Sequence, residues 1–265
     1  MRLAALLLLA LAAGCSPKPK VLRVCADPNN LPFSDARGEG FENKLAELVA
    51  DELGMTVEYT WWAQRRGYVR NTLKEGQCDV WPGVATQVEM LATTQPYYRS
   101  TYVFLTRADR HLQLASLDDP QLRTLRIGVQ MIGDDSSNTP PTHALARRGI
   151  VQNVRGYMLY GDYAQPNPPA EIVRAVDRGD VDVAVVWGPL AGYFAARAEH
   201  LLTLTPVTPW LDGPQWPMVF DISMGVRKDD LELRDRIDEA LVRRAADVQA
   251  LLKAYGVPAV AAPAV

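Results

Sequence analysis

The chain has 265 residues, of which 48% are hydrophobic, and its formal net charge at pH 7 is −3. A chain of this kind can bury a sizeable core, either in one large domain or in two lobes of about 100–150 residues each. Because the charge is nearly balanced and no run of five basic residues occurs, we expect no nucleic-acid partner.

The N-terminal residues are typical of a secreted lipoprotein. Arg2 precedes an apolar run from Leu3 to Leu11, which is too short to span a bilayer. Leu-Ala-Ala-Gly-Cys then ends at Cys15 and resembles a bacterial lipobox. This pattern predicts a signal peptide over residues 1–14 and lipidation of Cys15. The alternative is an ordinary secretory signal with a chance cysteine.

The predicted mature chain starts with a short extended tether, residues 15–20. Ser16 resembles the second residue of lipoproteins that are passed to the outer membrane. We therefore expect a periplasmic protein that contacts a membrane only through its lipid anchor, at the outer rather than the inner membrane.

Two further cysteines, Cys25 and Cys78, remain after this assignment. In an oxidising compartment they form either a disulfide or two small buried residues on neighbouring strands. Cys25 lies late in its predicted strand and Cys78 at the start of its own, which would separate them too far in a parallel register. Both interpretations stay open.

The first hundred residues of the predicted mature chain alternate between strand and helix patterns. A helix is indicated between Gly40 and Gly54 by an apolar face that includes Phe41 and Leu45. A shorter helix over 69–75 ends at a glycine. The predicted strands lie at 21–26, 55–62, 78–81 and 101–105, and a turn is predicted at Pro82-Gly83.

The second half repeats this alternation, which is the pattern of an α/β fold with parallel sheets. Its predicted elements are strands at 125–129, 181–187 and 220–226, and helices at 142–148, 169–178 and 231–255.

Two of the predicted strands, 101–105 and 220–226, look like crossovers between two lobes. They predict a two-strand hinge and lobes that open and close around a cleft. The predicted division is a first lobe at 21–105 and 220–258, a second lobe at 106–219, and a disordered tail at 259–265.

The segment from Tyr68 to Leu105 carries the most specific motifs, RNTL, CDVW-x-GV and TTQPYYRSTYVF. A strand led by aspartate, a threonine, and Pro-Tyr-Tyr before a crossover strand resemble a type II periplasmic solute-binding protein of family 3. The denser motifs resemble the MxaJ/XoxJ proteins within that family. Further stretches share this resemblance: GEGFENKLAELVA, WWAQRRGYVRNTL, IGVQMIGDDSSNTPP and VVWGPLAGYFA.

This resemblance implies a type II periplasmic binding protein fold, with two βαβ lobes joined by a two-strand hinge. It also implies an accessory role beside a PQQ-dependent methanol or alcohol dehydrogenase, during its maturation or activation, with no settled small ligand.

The chain departs from the amino-acid binders of family 3 at the residues that hold the ligand. Those binders typically fix the α-carboxylate with an arginine, where this chain has Gln87-Val88-Glu89, and the α-amine with an aspartate, where it has Trp187. Residues 131–137 replace their Gly-Thr-Thr loop. A zwitterionic ligand would leave buried charges unpaired, at a cost of several kcal/mol each, so we expect no amino-acid ligand.

Ligands of open α/β sheets bind beyond the carboxyl ends of the strands. This rule brings together the five segments 27–30, 62–66, 82–86, 130–138 and 187–189. The predicted cleft residues within them are Asp27, Asn29, Asn30, Trp62, Arg65, Arg66, Thr86, Gln130, Asp134, Asp135 and Trp187.

Some tryptophans and arginines near these segments have a plainer interpretation. One of Trp61 and Trp62 is expected in the core, because successive strand residues face opposite ways. Arg65-Arg66 either meets an acidic partner or stays in a solvated loop. Trp210 and Trp216 either form a contact patch or pack on the second lobe.

The acidic loop at Asp134 and Asp135 is the one stretch that suggests a metal. The sixth position of the loop holds Thr139 instead of glycine, and the twelfth holds Leu145 instead of glutamate. The EF-hand pattern therefore fails, and we expect a solvated loop and no bound metal.

The sequence carries no common catalytic motif: it has no P-loop, GxSxG, GxGxxG, HExxH or CxxC. Glu42 or Glu89 is the conceivable catalytic carboxylate, but an unpaired carboxylate on a helix usually lies at the surface. We predict a non-catalytic, monomeric protein without a cofactor, whose partner is the PQQ-dependent dehydrogenase. The alternative is the substrate-binding component of an ABC importer for a small molecule that is not an amino acid.

Overall fold

The structure, a computed structural model, describes residues 20–132, 138–160 and 162–260. The predicted signal peptide, Cys15, the tether up to residue 19, Asp134 and Asp135, and residues 261–265 lie outside these ranges. No helix within the described ranges is both long and apolar enough to cross a membrane.

Helices and strands alternate along the described chain, with 3-10 turns at Ala108–Arg110, Pro120–Arg123 and Pro168–Ala170. The helices are α1 (Phe41–Glu52), α2 (Tyr68–Asn71), α3 (Pro140–Arg147), α4 (Glu171–Asp177), α5 (Gly188–Ala195), α6 (Leu231–Arg243) and α7 (Ala245–Ala254). The strands are β1 (Lys20–Ala26), β2 (Asn29–Asn30), β3 (Ser34–Asp35), β4 (Met55–Trp61), β5 (Val80–Ala85), β6 (Ala92–Thr93), β7 (Tyr98–Arg107), β8 (Ile127–Met131), β9 (Val154–Met158), β10 (Val183–Trp187), β11 (Leu202–Pro206), β12 (Leu211–Asp212), β13 (Trp216–Pro217) and β14 (Val219–Val226).

The main sheet has the strand order β4-β1-β5-β14-β7-β10-β8-β9, with β6 beside β14 and β11 beside β7. In the first half β1 runs parallel to both β4 and β5, and in the second half β8 runs parallel to both β9 and β10. Helices connect these parallel strands, as the pattern of alternation requires. The α/β architecture predicted from the sequence is confirmed.

Strands β7 and β14 carry the chain between the two halves. β7 pairs with β14 antiparallel from Tyr98 to Thr101, and then with β10 from Tyr102 to Thr106. At the crossing, Arg99 donates two hydrogen bonds, of 2.7 and 2.6 Å, to the Asp221 carboxylate on the facing strand. A bidentate pair between directly opposed residues stabilises the register of the two strands.

Separate hydrophobic cores lie on either side of this crossing. The first contains Leu22, Phe41 and Ile237, and the cores of the second half contain Tyr102, Phe104 and Leu105. Each buried side chain of this size contributes roughly 1.5–3 kcal/mol to stability. Residues 102, 104 and 105 thus contribute to the cores of the second half, while residues 98–101 of the same strand pair with β14.

Helix α1 begins where the sequence predicts because its first turn is capped from within. The Asn43 side chain accepts hydrogen bonds from the backbone N–H of Gly40 at 3.1 Å and of Asp35 at 3.0 Å. The bond from Gly40 satisfies a donor that a helix start otherwise leaves free, and the bond from Asp35 ties β3 to the helix. The helix then buries Phe41, Leu45 and Val49 in the first core.

Three predicted elements differ in the structure. Pro82-Gly83 is no turn but part of β5, where pairing with β14 shifts register and Gly83 adopts a φ of 77°. The helix expected over 69–75 is the single turn α2. The long C-terminal helix divides into α6 and α7 at Arg244, whose φ of −101° and ψ of 19° are not helical, and both halves pack against α1.

The C-terminal residues lie across both lobes. The Tyr255 ring stacks on Tyr193 of α5 at 5.7 Å and meets Phe41 of α1 edge-on at 5.9 Å. The backbone N–H of Val260 donates to the Arg99 carbonyl of β7 at 3.4 Å. This bond lies at the start of the predicted tail, residues 259–265, whose disorder stays a prediction.

The structure joins Cys25 and Cys78 by a disulfide, with their Cα atoms 5.4 Å apart. The predicted strand 78–81 included Cys78, and a cysteine at that position of a parallel strand would lie too far from Cys25 for this bond. Cys78 lies before β5 begins at Val80, in a connection that the parallel register does not fix.

We expect a Cys25→Ser/Cys78→Ser double variant to lose about 2–4 kcal/mol of unfolding free energy. The bond closes a loop with a sequence separation of 53, and removing it increases the conformational entropy of the unfolded chain. Urea unfolding of the purified protein measures the difference. A reducing agent should destabilise the wild type and leave the double variant unchanged; equal sensitivity of the two would contradict the disulfide.

Candidate functional site

A cleft of about 490 Å³ opens between the two lobes. We call it the aromatic cleft, since seven of its seventeen lining residues are aromatic and these come from both lobes. Its lining residues are Asn30, Phe33, Glu42, Gln64, Trp81, Gly83, Ala85, Tyr98, Tyr102, Gln130, Ile132, Thr139, Leu159, Tyr160, Trp187, Phe220 and Ile222.

One wall of the aromatic cleft is a cluster of three rings. Trp187 lies edge-on to Tyr102 at 5.3 Å and to Phe220 at 5.8 Å, and these two are 6.5 Å apart. Edge-to-face rings at these distances attract one another beyond their burial of area. Trp187 and Phe220 pack against the cores of both lobes. This wall of the cleft therefore lies at the hinge.

Trp187 reaches this position because β10 ends there and α5 starts at Gly188. Its backbone N–H donates to the Gln130 side chain at 3.2 Å, which ties the end of β10 to β8. A Cβ atom at Gly188 would lie 2.6 Å from the Thr101 carbonyl oxygen. Only glycine lets α5 approach β7 this closely, and this approach fixes where the indole ring lies.

Glu42 is the one acidic or basic residue that lines the aromatic cleft within the described chain. It lies in the first turn of α1, is 5% exposed, and packs on Gly83, where a Cβ atom would lie within bonding distance of Oε1. Desolvation by burial, with a contribution from the Asp27 charge, raises its pKa from 4.5 to about 8. The carboxyl is therefore mainly protonated at neutral pH, and the sequence-based expectation of a surface carboxylate is wrong.

The electrostatics of the aromatic cleft disfavour an amino-acid ligand. An α-carboxylate needs a cationic or multiple N–H partner when it is buried, and no basic side chain lines the cleft in the described part of the chain. Where the amino-acid binders carry an aspartate, Trp187 presents an apolar ring. The cleft is suited to apolar groups that offer few charges.

Hydrogen bonds join the two lobes at the mouth of the cleft. The Tyr163 hydroxyl donates to Asp27 Oδ2, while Asn29 Nδ2 donates to the Gln165 carbonyl at 2.9 Å. The backbone N–H of Asn167 donates to Asn29 Oδ1, also at 2.9 Å. These contacts connect the end of β1 with the loop that precedes α4, and they hold the lobes close together.

The structure brings a subset of the predicted site residues to the aromatic cleft. Asn30, Gln130 and Trp187 line it, and Asp27 and Asn29 form the bonds at its mouth. Arg65 lines a neighbouring depression, and its guanidinium lies 4.7 Å over the Tyr163 ring.

The other predicted residues lie elsewhere or outside the described residues. Trp62 is 45% exposed just beyond β4, and Trp61 is only partly buried where it stacks on Tyr59 at 4.6 Å, so neither is a core residue. Thr86 hydrogen-bonds Ser223 Oγ at 2.6 Å and ties β5 to β14. Arg66 is exposed and does not line the cleft. Asp134 and Asp135 lie outside the described residues.

The sequence did not indicate most of the cleft lining. Trp81 and Phe220 belong to predicted strands, where an aromatic residue is ordinarily core, and Tyr98 precedes the predicted strand 101–105. Glu42 belongs to a predicted amphipathic helix. The position of that helix gave a usable signal for Glu42. The first turn of the helix follows segment 27–30, which the sequence already placed at the cleft.

The remaining candidate groups are structural in the described residues. Trp216 stacks on His143 at 4.0 Å and so packs on the second lobe, while Trp210 is 38% exposed. No group of three or more histidine, cysteine, aspartate or glutamate side chains within the described ranges is placed to hold a metal ion.

Two α/β lobes, two connecting strands and a cleft at the hinge define the class of periplasmic binding proteins. Within this class, the chain belongs to the bacterial extracellular solute-binding proteins of family 3, whose model matches residues 22–257.

Several proteins of known name resemble this chain over most of its length. The chain is 35% identical over 259 residues to the protein MoxJ of Methylorubrum extorquens, covering 93% of this chain and 84% of that one. The crystal structure of the periplasmic binding protein XoxJ of Methylobacterium extorquens AM1 is 36% identical, covers 91% of this chain and 100% of its own, and has a TM-score of 0.75. MxaJ of Methlophaga aminisulfidivorans MPT is 28% identical over 90% of this chain and 100% of its own, with a TM-score of 0.76. The predicted resemblance to MxaJ/XoxJ proteins is confirmed.

The raised pKa of Glu42 predicts a pH-dependent cost to stability. Between pH 4.5 and 8 the folded protein holds a proton that the unfolded chain releases, so the unfolding free energy falls as pH rises, by up to about 1.4 kcal/mol per pH unit. We expect Glu42→Gln to match the wild type near pH 5 and to be more stable by a few kcal/mol near pH 8. Thermal unfolding at several pH values measures this.

Glu47→Gln is the matched control for this experiment, because Glu47 lies on the same helix but is exposed. This control should follow the wild type at every pH. A Glu42→Gln variant that keeps the pH dependence of the wild type would show that the Glu42 carboxyl is ionised in the folded protein.

We expect Tyr163→Phe to favour a more open arrangement of the lobes. The substitution removes a hydrogen bond to a carboxylate, worth about 1.5–3 kcal/mol, while Asp27 keeps its bond from the Gln64 N–H at 2.7 Å. Small-angle X-ray scattering should give a larger radius of gyration for this variant. Tyr160→Phe, which changes a cleft tyrosine outside these cross-lobe bonds, should not; an equal radius for both variants would disprove the closing role of Tyr163.

Proposed function

We propose that this protein is a non-catalytic, solute-binding-like accessory protein of a PQQ-dependent methanol or alcohol dehydrogenase. In this role it binds the dehydrogenase during its maturation or activation, and the aromatic cleft receives an apolar segment of that partner. The observation that carries the proposal is the cleft lining: aromatic rings from both lobes surround a single buried carboxyl, without a basic side chain among the described lining residues.

The chemistry of the aromatic cleft supports a protein segment over a small metabolite. Polar metabolites require charged or hydrogen-bonding groups that converge on them, whereas aromatic and apolar side chains dominate the centres of protein interfaces. Trp187 and Tyr102 offer large ring surfaces at the hinge. A protonated Glu42 could accept a hydrogen bond from a backbone N–H or donate one to a carbonyl without introducing a buried charge.

The family relationship supports the same role. Relatives that share most of the chain include proteins named MoxJ, XoxJ and MxaJ, and the resemblance to MxaJ/XoxJ proteins implies a place beside a methanol dehydrogenase. The departures from amino-acid binders, at Gln87-Val88-Glu89 and Trp187, agree with it.

We propose that the protein acts in the periplasm as a monomer. The name of its family, which describes extracellular proteins, and the signal-peptide pattern before Cys15 support this location. A lipid on Cys15 would anchor it, at the outer membrane on the evidence of Ser16.

The test is direct binding of the purified mature protein to the quinoprotein alcohol dehydrogenase purified from the same organism, measured by biolayer interferometry. We expect Trp187→Ala to weaken binding at least about tenfold, since a buried tryptophan at an interface centre commonly contributes 2 kcal/mol or more. Ile132→Glu should weaken it too, because it places a charge on the cleft lining without touching a core. Trp210→Ala, at an exposed tryptophan outside the cleft, should bind like the wild type.

Each other outcome selects a different function or surface. Binding that survives both cleft variants would move the contact to the outer surface. No binding to the dehydrogenase, together with a small molecule that raises the melting temperature, would disprove the accessory role and leave the substrate-binding component of an ABC importer.

A further inference from the structure

A second depression, of about 360 Å³, adjoins the aromatic cleft. The two are continuous, because Gln64, Trp81 and Tyr160 line both. We call the second one the basic annex; its further lining residues are Arg65, Gly67, Tyr68, Val69, Arg70, Lys74 and Met90.

The basic annex gathers positive charge without a counter-charge. Arg65, Arg70 and Lys74 line it, none of its lining residues is acidic, and none of the three cations has a carboxylate partner among the described residues. Other arginines of the described chain commonly form ion pairs with carboxylates; Arg126, for example, pairs with Asp182 at 2.8 Å. Like charges placed together repel, so this cluster is stabilised when an anion lies between them.

Two aromatic residues that line the annex, Tyr68 and Trp81, keep their polar atoms buried. The indole N–H of Trp81 is buried and has no hydrogen-bond partner among the described residues. The Tyr68 side chain is 5% exposed, and its hydroxyl lies near the Gln64 side chain but makes no hydrogen bond of normal geometry with a described residue. Both atoms are shielded from solvent, so a ligand in the annex contacts the rings of Tyr68 and Trp81.

The remaining floor is apolar, since Val69, Met90 and the rings of Tyr68 and Trp81 form it. An apolar floor beneath a rim of cations matches an organic anion, whose body can be desolvated while its charge meets the guanidinium groups. Inorganic phosphate lacks such a body. Guanidinium groups bind carboxylates through charge-assisted hydrogen bonds.

We propose that the basic annex binds a carboxylate carried on an apolar body. The carboxylate lies between Arg70 and Lys74, and the body lies on Trp81 and Met90 toward the aromatic cleft. The source is either a free organic acid or an acidic side chain of a bound protein segment, which present the same group. This site goes beyond the accessory role and does not depend on the dehydrogenase.

The test uses the purified mature protein, with sodium benzoate as the probe, benzamide as its neutral isostere and sodium phosphate as a bare anion. The readout is the NMR signal of the Trp81 indole N–H, assigned with Trp81→Phe. We expect benzoate to shift this signal in a saturable way, at a concentration about tenfold lower than benzamide requires, and with weaker binding in high salt. Phosphate should give no comparable shift.

Arg70→Gln/Lys74→Gln should weaken benzoate binding by about fivefold or more, as expected for two exposed cations, and leave benzamide unaffected. The control Arg236→Gln/Lys253→Gln changes the net charge equally, on helices distant from the annex, and should bind benzoate like the wild type. Equal affinity for benzoate and benzamide, an unaffected annex variant, or phosphate binding as tight as benzoate would each overturn the proposal.

A second arm separates the two sources of the carboxylate. An apolar hexapeptide with one central glutamate is compared with its glutamine version by the same readout. If the glutamate peptide binds more tightly than benzoate, the annex receives a protein side chain; if benzoate binds more tightly, it receives a free acid. If neither binds, there is no carboxylate site.

Discussion

The antiparallel pairing of β7 with β14 is the constraint on which the rest of the structure depends. β7 pairs with strands of both lobes, and the Arg99–Asp221 pair fixes its register against β14 at the crossing. A shift of one residue would turn every side chain to the opposite face, and Tyr102 and Phe220 would leave the cleft wall. The position of the aromatic cleft is therefore a consequence of strand register and not of loop conformation.

The aromatic cleft and the basic annex differ in the charge of their linings. Glu42 lies where burial disfavours its charge, while Arg65, Arg70 and Lys74 lie at an exposed rim where water stabilises theirs. Trp81 separates the two environments and lines both. A ligand that spans them would therefore meet a neutral, apolar region at one end and a cationic one at the other.

The sequence predicted the architecture well because the architecture depends on local patterns. Gly40, Gly54 and Gly76 mark ends of segments, and the apolar alternation identifies the strands, so the two-lobed fold followed from composition and order. The rule that ligands bind beyond strand ends also pointed to Asn30, Gln130 and Trp187, which line the cleft and whose part in binding stays a prediction.

Residues that depend on tertiary packing could not be predicted in this way. Pro82-Gly83 has the composition of a turn, but its pairing with β14 keeps it within a strand. Glu42 has the pattern of an exposed helical residue, and its burial follows from the approach of β5 to the start of α1, which no local pattern encodes. Thr86 and Trp62 follow strand ends, yet one bonds a neighbouring strand and the other points to solvent.

The glycine at position 83 determines how deep the cleft is. Any larger residue there would occupy the space of the Glu42 carboxyl and would also have to adopt a φ of 77°. A methyl group on the Cα atom of residue 83 would push the Glu42 carboxyl out of its position and into the cleft volume. The protein's own side chain would then compete with any ligand for that space. The capacity of the site is thus set by the absence of a side chain.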